Sequence, residues 1–256
     1  MTTCNVSIDF DGVGLDYGGR AVLSDIRLTV EPGEFVCVIG ASGCGKTSML
    51  RLIAGLAKPT RGRVSVGQRA VEGPRRDVAV LFQDYGRALL PWRTVFGNVS
   101  LALESIGMPK ARRAAQIESL LQLVNLDQHA DKYPAQLSGG MQQRLQIART
   151  LAQEPSILLM DEPFGALDAM TRQSLQDEIL RIVAERRVTV FFVTHDLEEA
   201  LYLGDRVVAL YSGPGRIAEL IDVPLPRPRN QLTTREQPDF APLRRKLFTL
   251  MEDLHR

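Results

Sequence analysis

The chain has 256 residues, 45% of them apolar and 24% charged, enough to bury a core without disulfides or a structural metal. A net charge of +1 gives no electrostatic case for nucleic acid or for a bare anionic membrane as a partner. The three cysteines, Cys4, Cys37 and Cys44, are odd in number and lack metal-ligand spacing, which points to free thiols in a reducing compartment.

The N-terminus has no basic region followed by an apolar one, so no secretory signal is expected. No apolar run approaches the roughly 20 residues of a membrane span. A role at a membrane would need a partner to hold the chain there.

The first informative element is a short apolar strand, predicted over Glu34 to Ile39. It runs into Gly40, Ala41, Ser42, Gly43, Cys44, Gly45, Lys46, Thr47 and Ser48, with a helix predicted over Ser48 to Leu56. Gly40 to Thr47 is a full phosphate-binding loop in the strand-loop-helix context it requires. Its glycines let backbone N–H groups point at phosphate oxygens, and the helix N-terminus adds favourable potential. In this pattern Lys46 reaches the β- and γ-phosphates and the Thr47 hydroxyl ligates Mg²⁺. A second strand is predicted over Val78 to Phe82, followed by Gln83. A neutral amide at a strand end can ligate Mg²⁺ or position water.

A mainly helical stretch follows. Pro109 to Asn125 carries Ile117, Leu120, Leu121 and Val124 at helix spacing. Next comes Leu-Ser-Gly-Gly-Met-Gln-Gln-Arg, Leu137 to Arg144, before a helix predicted over Met141 to Gln153. Ser138 reads as an N-cap, and with Gly139 and Gly140 it also forms an anion site at a helix start. Two consecutive glycines are costly in a helix, and close approach of backbone to a ligand accounts for them. The site has no lysine, so it is too weak to hold a nucleotide by itself.

A strand over Ser156 to Met160 ends at Asp161 and Glu162. Alone, such a pair reads as an acidic turn or an N-cap. Beside a phosphate loop, Asp161 is suited to support Mg²⁺ and Glu162 to orient or deprotonate an attacking water. A strand over Val188 to Val193 ends at Thr-His-Asp. His195 either caps a helix beginning near Asp196 or donates a hydrogen bond to a phosphate or water. Short apolar runs alternating with helical patterns predict an α/β fold with a mostly parallel sheet, and the polar clusters share the carboxyl ends of its strands, where ligands bind. Pro224 to Asn230 reads as a linker to a helix over about Ala241 to His255. The expected division is a nucleotide-binding core of residues 1–88 and 156–222, an inserted helical subdomain of residues 89–155, and a C-terminal segment of residues 223–256.

These motifs, with Ala166-Leu167-Asp168, stand in the order and approximate spacing of the ATP-binding cassette ATPases, which the chain resembles from about Val6 to Pro226. The resemblance implies a P-loop NTPase core with an antiparallel β portion. It implies that Tyr17 stacks on adenine, that Thr47 and Gln83 bind Mg²⁺ with Asp161 in support, and that Glu162 is the catalytic base. His195 would be the γ-phosphate switch and Asp168 would communicate between sites. Ser138, Gly139 and Gly140 would bind the γ-phosphate of ATP held by a second copy of the chain. An edge that cannot hold ATP alone can complete a site already charged with it, which suits a two-fold dimer closed by ATP.

Leu90-Pro91-Trp92-Arg93-Thr94-Val95, Phe164 to Asp168 and Val223 to Arg229 resemble more narrowly the ATPase subunits of bacterial importers for nitrate, sulfonates, taurine and similar solutes. That implies a peripheral subunit on the cytoplasmic face of the inner membrane. Its partners would be membrane permease subunits contacting residues 83–98 and, indirectly, a periplasmic solute-binding protein. Trp92 reads equally well as coupling surface or as core. The short segment after the proline run implies that a C-terminal regulatory domain is lacking, and Gln142, where relatives often carry arginine, implies altered contacts at the helix start. The alternatives are a cassette ATPase outside transport, or an importer subunit for another small organic solute such as a pyrimidine precursor. A non-catalytic scaffold would need a lost motif, and every motif is present.

Overall fold

The computed structural model describes residues 6–81 and 88–254. Among the described residues, ten strands form two sheets. β1 (Ile8–Tyr17), β2 (Arg20–Val30), β4 (Arg61–Val66) and β5 (Arg69–Ala70) make an antiparallel sheet in the order β2-β1-β4-β5. The second sheet has the order β10-β9-β3-β8-β7-β6. In it β3 (Phe35–Gly40), β6 (Val78–Leu81), β7 (Ile157–Asp161), β8 (Thr189–Val193) and β9 (Arg206–Tyr211) are parallel. β10 (Arg216–Asp222) closes its edge antiparallel to β9. The expected mixed, mostly parallel α/β architecture is the one observed.

β3 shows why the core divides in two. All six of its residues are buried, and successive side chains point to opposite faces. Val36 and Val38 face one cluster with β1, β2, β4 and helix α1 (Lys46–Ile53). Phe35, Cys37 and Ile39 face the other. There they meet α2 (Val95–Ser105), α3 (Lys110–Leu123), α4 (Gly139–Leu151), α5 (Ala169–Arg186), α6 (Leu197–Leu203) and α7 (Phe240–Leu254). Among the described residues, no helix is long and apolar enough to cross a membrane.

Element positions depart from the sequence expectations by small, explicable amounts. α1 starts two residues early because Gly45, at φ 101°, turns the chain straight into the helix, and it ends early, before Gly55 at φ 71°. α4 starts at Gly139, because Ser138 caps it by accepting a hydrogen bond from the Met141 amide at 3.4 Å. The two glycines are therefore the first turn of the helix rather than a turn before it. The segment after Pro224 is anchored rather than free. Arg227 donates to the Leu203 carbonyl and to Asp205. Arg229, its side chain fully buried, donates to the carbonyls of Leu201, Tyr202 and Gly204 at the end of α6.

Candidate active site

The phosphate loop leaves β3 at Gly40. A side chain there would stand 2.7 Å from Cys44 Sγ, and one at Gly45 would stand 2.4 Å from Leu23 Cδ2, so the loop path requires glycine at both. Lys46, the first residue of α1, folds back across the loop. Its Nζ donates to the Gly40 carbonyl at 2.8 Å and the Ala41 carbonyl at 3.0 Å. A pocket of about 430 Å³ opens above, lined by Gly40, Ser42, Gly43 and Gly45 to Ser48, with Val22 of β2, Glu162 and His195.

Asp161 and Glu162 diverge although adjacent. Burial pushes the Asp161 carboxyl above the usual carboxylate range, opposed by its hydrogen bond with Thr47 and by the Lys46 charge. Glu162 lies just past β7 at φ 45°, a left-handed conformation uncommon for a side-chain-bearing residue, and its amide donates to the Val193 carbonyl at 2.9 Å. That turn aims its carboxylate across the strand ends, where Glu162 Oε2 lies 3.3 Å from His195 Nδ1. His195 does not cap the following helix. Asp196 does so, accepting from the Glu198 and Glu199 amides at 2.9 and 3.1 Å. The histidine ring is left 68% exposed beside the pocket.

Other expected residues stand apart. Ser138 and Gly140 do not line this pocket, nor does Asp168, which caps α5 through the Thr171 amide at 3.1 Å. Tyr17 ends β1 with half of its surface exposed, outside the pocket lining. Gln83 lies outside the described residues. Cys44 gives its backbone to the loop, while its thiol is fully buried in the core beneath, and burial raises its pKa. Gly140 also has a reason within the chain, since a methyl group on it would meet Thr171 Cγ2 at 2.5 Å. Trp92 is 71% exposed and so is not core. Gln142 Nε2 donates back to the Pro134 and Leu137 carbonyls, securing the turn before α4.

Val22 and Thr171 belong to no motif in the sequence, and Arg144 enters one only as the last residue of Leu137 to Arg144. Arg144 pairs with the nearly buried Glu178 of α5 and donates to Ser174 Oγ and the Val124 carbonyl. These contacts depend on how helices pack, and only the position of Thr171 three residues after Asp168 carries a local hint.

Comparison with known proteins agrees with this geometry. The family model described as ABC transporter matches residues 23–165. An uncharacterized ABC transporter ATP-binding protein of Methanocaldococcus jannaschii is 49% identical over 240 residues, covering 93% of this chain and 88% of that protein. The nitrate import ATP-binding protein NrtC of Synechococcus elongatus is 48% identical over 246 residues, covering 94% of this chain but only 37% of that longer protein. Among solved structures, a dimeric bacterial ABC transporter cassette superposes with a TM-score of 0.73 at 32% identity, over 84% of this chain and 98% of that one. The chain belongs to the ABC transporter family, as an ATP-hydrolysing subunit related to the ATPases of nitrate-type importers.

Proposed function

We propose that this chain is the ATPase of a bacterial importer, working as a homodimer closed by two ATP molecules and driving a separate permease for nitrate, a sulfonate, taurine or a similar small solute. One observation carries the dimeric reading. Lys46, Glu162 and His195 share a single pocket, while Ser138, Gly140 and Asp168 stand outside it. A complete set of motifs thus builds an incomplete site, and a second copy supplies the missing edge.

In this reading the loop amides and Lys46 take the phosphates, Lys46 exchanging the Gly40 and Ala41 carbonyls for phosphate oxygens. Tyr17 packs on the adenine. Water attacks the γ-phosphorus and the bond to the bridging oxygen breaks, giving ADP and phosphate, with Glu162 accepting the proton of the water. His195, in contact with Glu162, senses the γ-phosphate. Thr47 and Asp161 offer hard oxygen donors that suit Mg²⁺, which takes few protein ligands beside phosphate and water. Bound there, the ion would neutralise developing phosphate charge. Gln83 would be a further ligand of the ion. The proposed division keeps residues 89–155 as the helical subdomain carrying Ser138 to Gly140, between the two parts of the core, with residues 223–256 as the C-terminal segment.

The exposed Pro91-Trp92 pair supports a docking surface for the permease, on the cytoplasmic side of the membrane. The similarity to NrtC supports a small anion such as nitrate, as does 46% identity to the bicarbonate transport ATP-binding protein CmpD of Synechocystis. Proteoliposomes holding this chain with its permease and solute-binding protein test the proposal. ATP-dependent uptake of nitrate, lost with Lys46→Ala, is expected; uptake independent of ATP contradicts it.

A further inference from the structure

Glu199 is a buried carboxylate that the hydrolytic reading does not use. It lies on α6, only 5% exposed, and begins the buried run that continues through Ala200 to Leu203. A carboxylate is costly in such a place unless its oxygens are satisfied. Both are: Oε1 accepts from Gln176 Nε2 of α5 at 2.9 Å, and Oε2 accepts from the Thr194 hydroxyl. The Thr194 hydroxyl in turn accepts from the Asp196 amide at 3.0 Å, and the Thr194 amide donates to the Val38 carbonyl of β3 at 3.2 Å. The residues on either side of His195 are thereby tied to one another, to the sheet and to α6.

We propose that Glu199 is a positioning residue for hydrolysis, holding the Thr194–Asp196 turn so that the His195 ring stays against the Glu162 carboxylate. A plain helix-start role does not explain the arrangement. The neighbouring Glu198 is available to the helix dipole from the surface, whereas Glu199 turns inward to a hydroxyl and an amide. Burial raises the Glu199 pKa, while the bonds from Thr194 and Gln176 oppose that shift by favouring the charged acceptor. The proposal rests on the catalytic reading of His195.

The test uses Glu199→Gln, which keeps the shape but converts one acceptor oxygen into a donor, and Thr194→Val, which removes only the hydroxyl. Both should bind ATP as the parent does, with kcat lower by about 10- to 100-fold, as expected for a small misplacement of a reacting group. Thr194→Ser should recover most of the rate. The chain has three histidines, so the His195 ring resonances can be assigned by their loss in His195→Ala, and they should move in Thr194→Val. Full-rate hydrolysis by both variants, or slowed hydrolysis with His195 resonances unmoved, overturns the positioning role. Wild-type hydrolysis by His195→Ala instead overturns the catalytic reading beneath it, so the two failures are distinguishable.

Discussion

Gly140 and Thr171 meet across the N-termini of α4 and α5, so closely that a methyl group on Gly140 would stand 2.5 Å from Thr171 Cγ2. Thr171 also holds Asp168, whose carboxyl is kept below its usual range by the Thr171 hydrogen bonds. The segment proposed to reach a partner's ATP and the residue proposed to signal between sites therefore share one threonine.

Gly140→Ala should lose about 1–3 kcal/mol of stability through overpacking. Adding Thr171→Ser deletes the clashing methyl and keeps the hydroxyl, so the double variant should regain most of that stability. Urea denaturation measures both. If the double variant stays as unstable as the single one, the contact is not the reason for the glycine.

Cys44 should resist alkylation in the folded chain. Its thiol is buried beneath the loop, and its raised pKa leaves less thiolate at neutral pH than a free cysteine has. Iodoacetamide at pH 7 should leave Cys44 unmodified by mass spectrometry and the ATPase rate unchanged. Labelling should rise as pH climbs above 9.0 or when the chain unfolds. Rapid labelling of Cys44 at neutral pH, prevented by ATP, would mean that the thiol faces the phosphates.

Arg144→Ala should destabilise the chain by about 3–5 kcal/mol, because it leaves a buried carboxylate on Glu178 without its cation. Burial already raises the Glu178 pKa against the opposing Arg144 charge. A carboxylate whose folded pKa exceeds its unfolded value of 4.5 costs stability as pH rises between the two, so the defect should deepen from pH 4.5 upward. Replacing Glu178 by Gln in the same chain should relieve it. A variant as stable as the parent at pH 8 rules this pairing out as a support of α4.

The phosphate loop, the strands β3, β6, β7 and β8 and the Asp161-Glu162 pair were legible because local pattern and function coincide there. An apolar strand must end where polar ligating groups begin, and each motif carries its own spacing. The helix cap at Asp196 carried a local signal, aspartate being a preferred N-cap, whereas the inward Cys44 thiol and the Gly140–Thr171 contact were not legible. These last two depend on which way a side chain turns once distant elements pack, and a single residue does not record that. β1, β2, β4 and β5 were foreseen only through family resemblance, since alternating strands separated by glycine turns carry no chemistry to mark them.

Ser138→Arg should separate binding from turnover. Because Ser138 does not line the pocket of its own chain, ATP affinity of the monomer should be unchanged while hydrolysis is lost. Lys46→Ala should abolish nucleotide binding itself. Calorimetric titration distinguishes them, and loss of ATP binding by Ser138→Arg would place that serine in its own chain's site.

Glu162→Gln should bind ATP without consuming it, which isolates closure of two copies on the nucleotide from hydrolysis. Light scattering of this variant should report one chain without nucleotide and two with ATP, with ADP failing to replace it. A monomer at saturating ATP would contradict a dimer closed by the nucleotide.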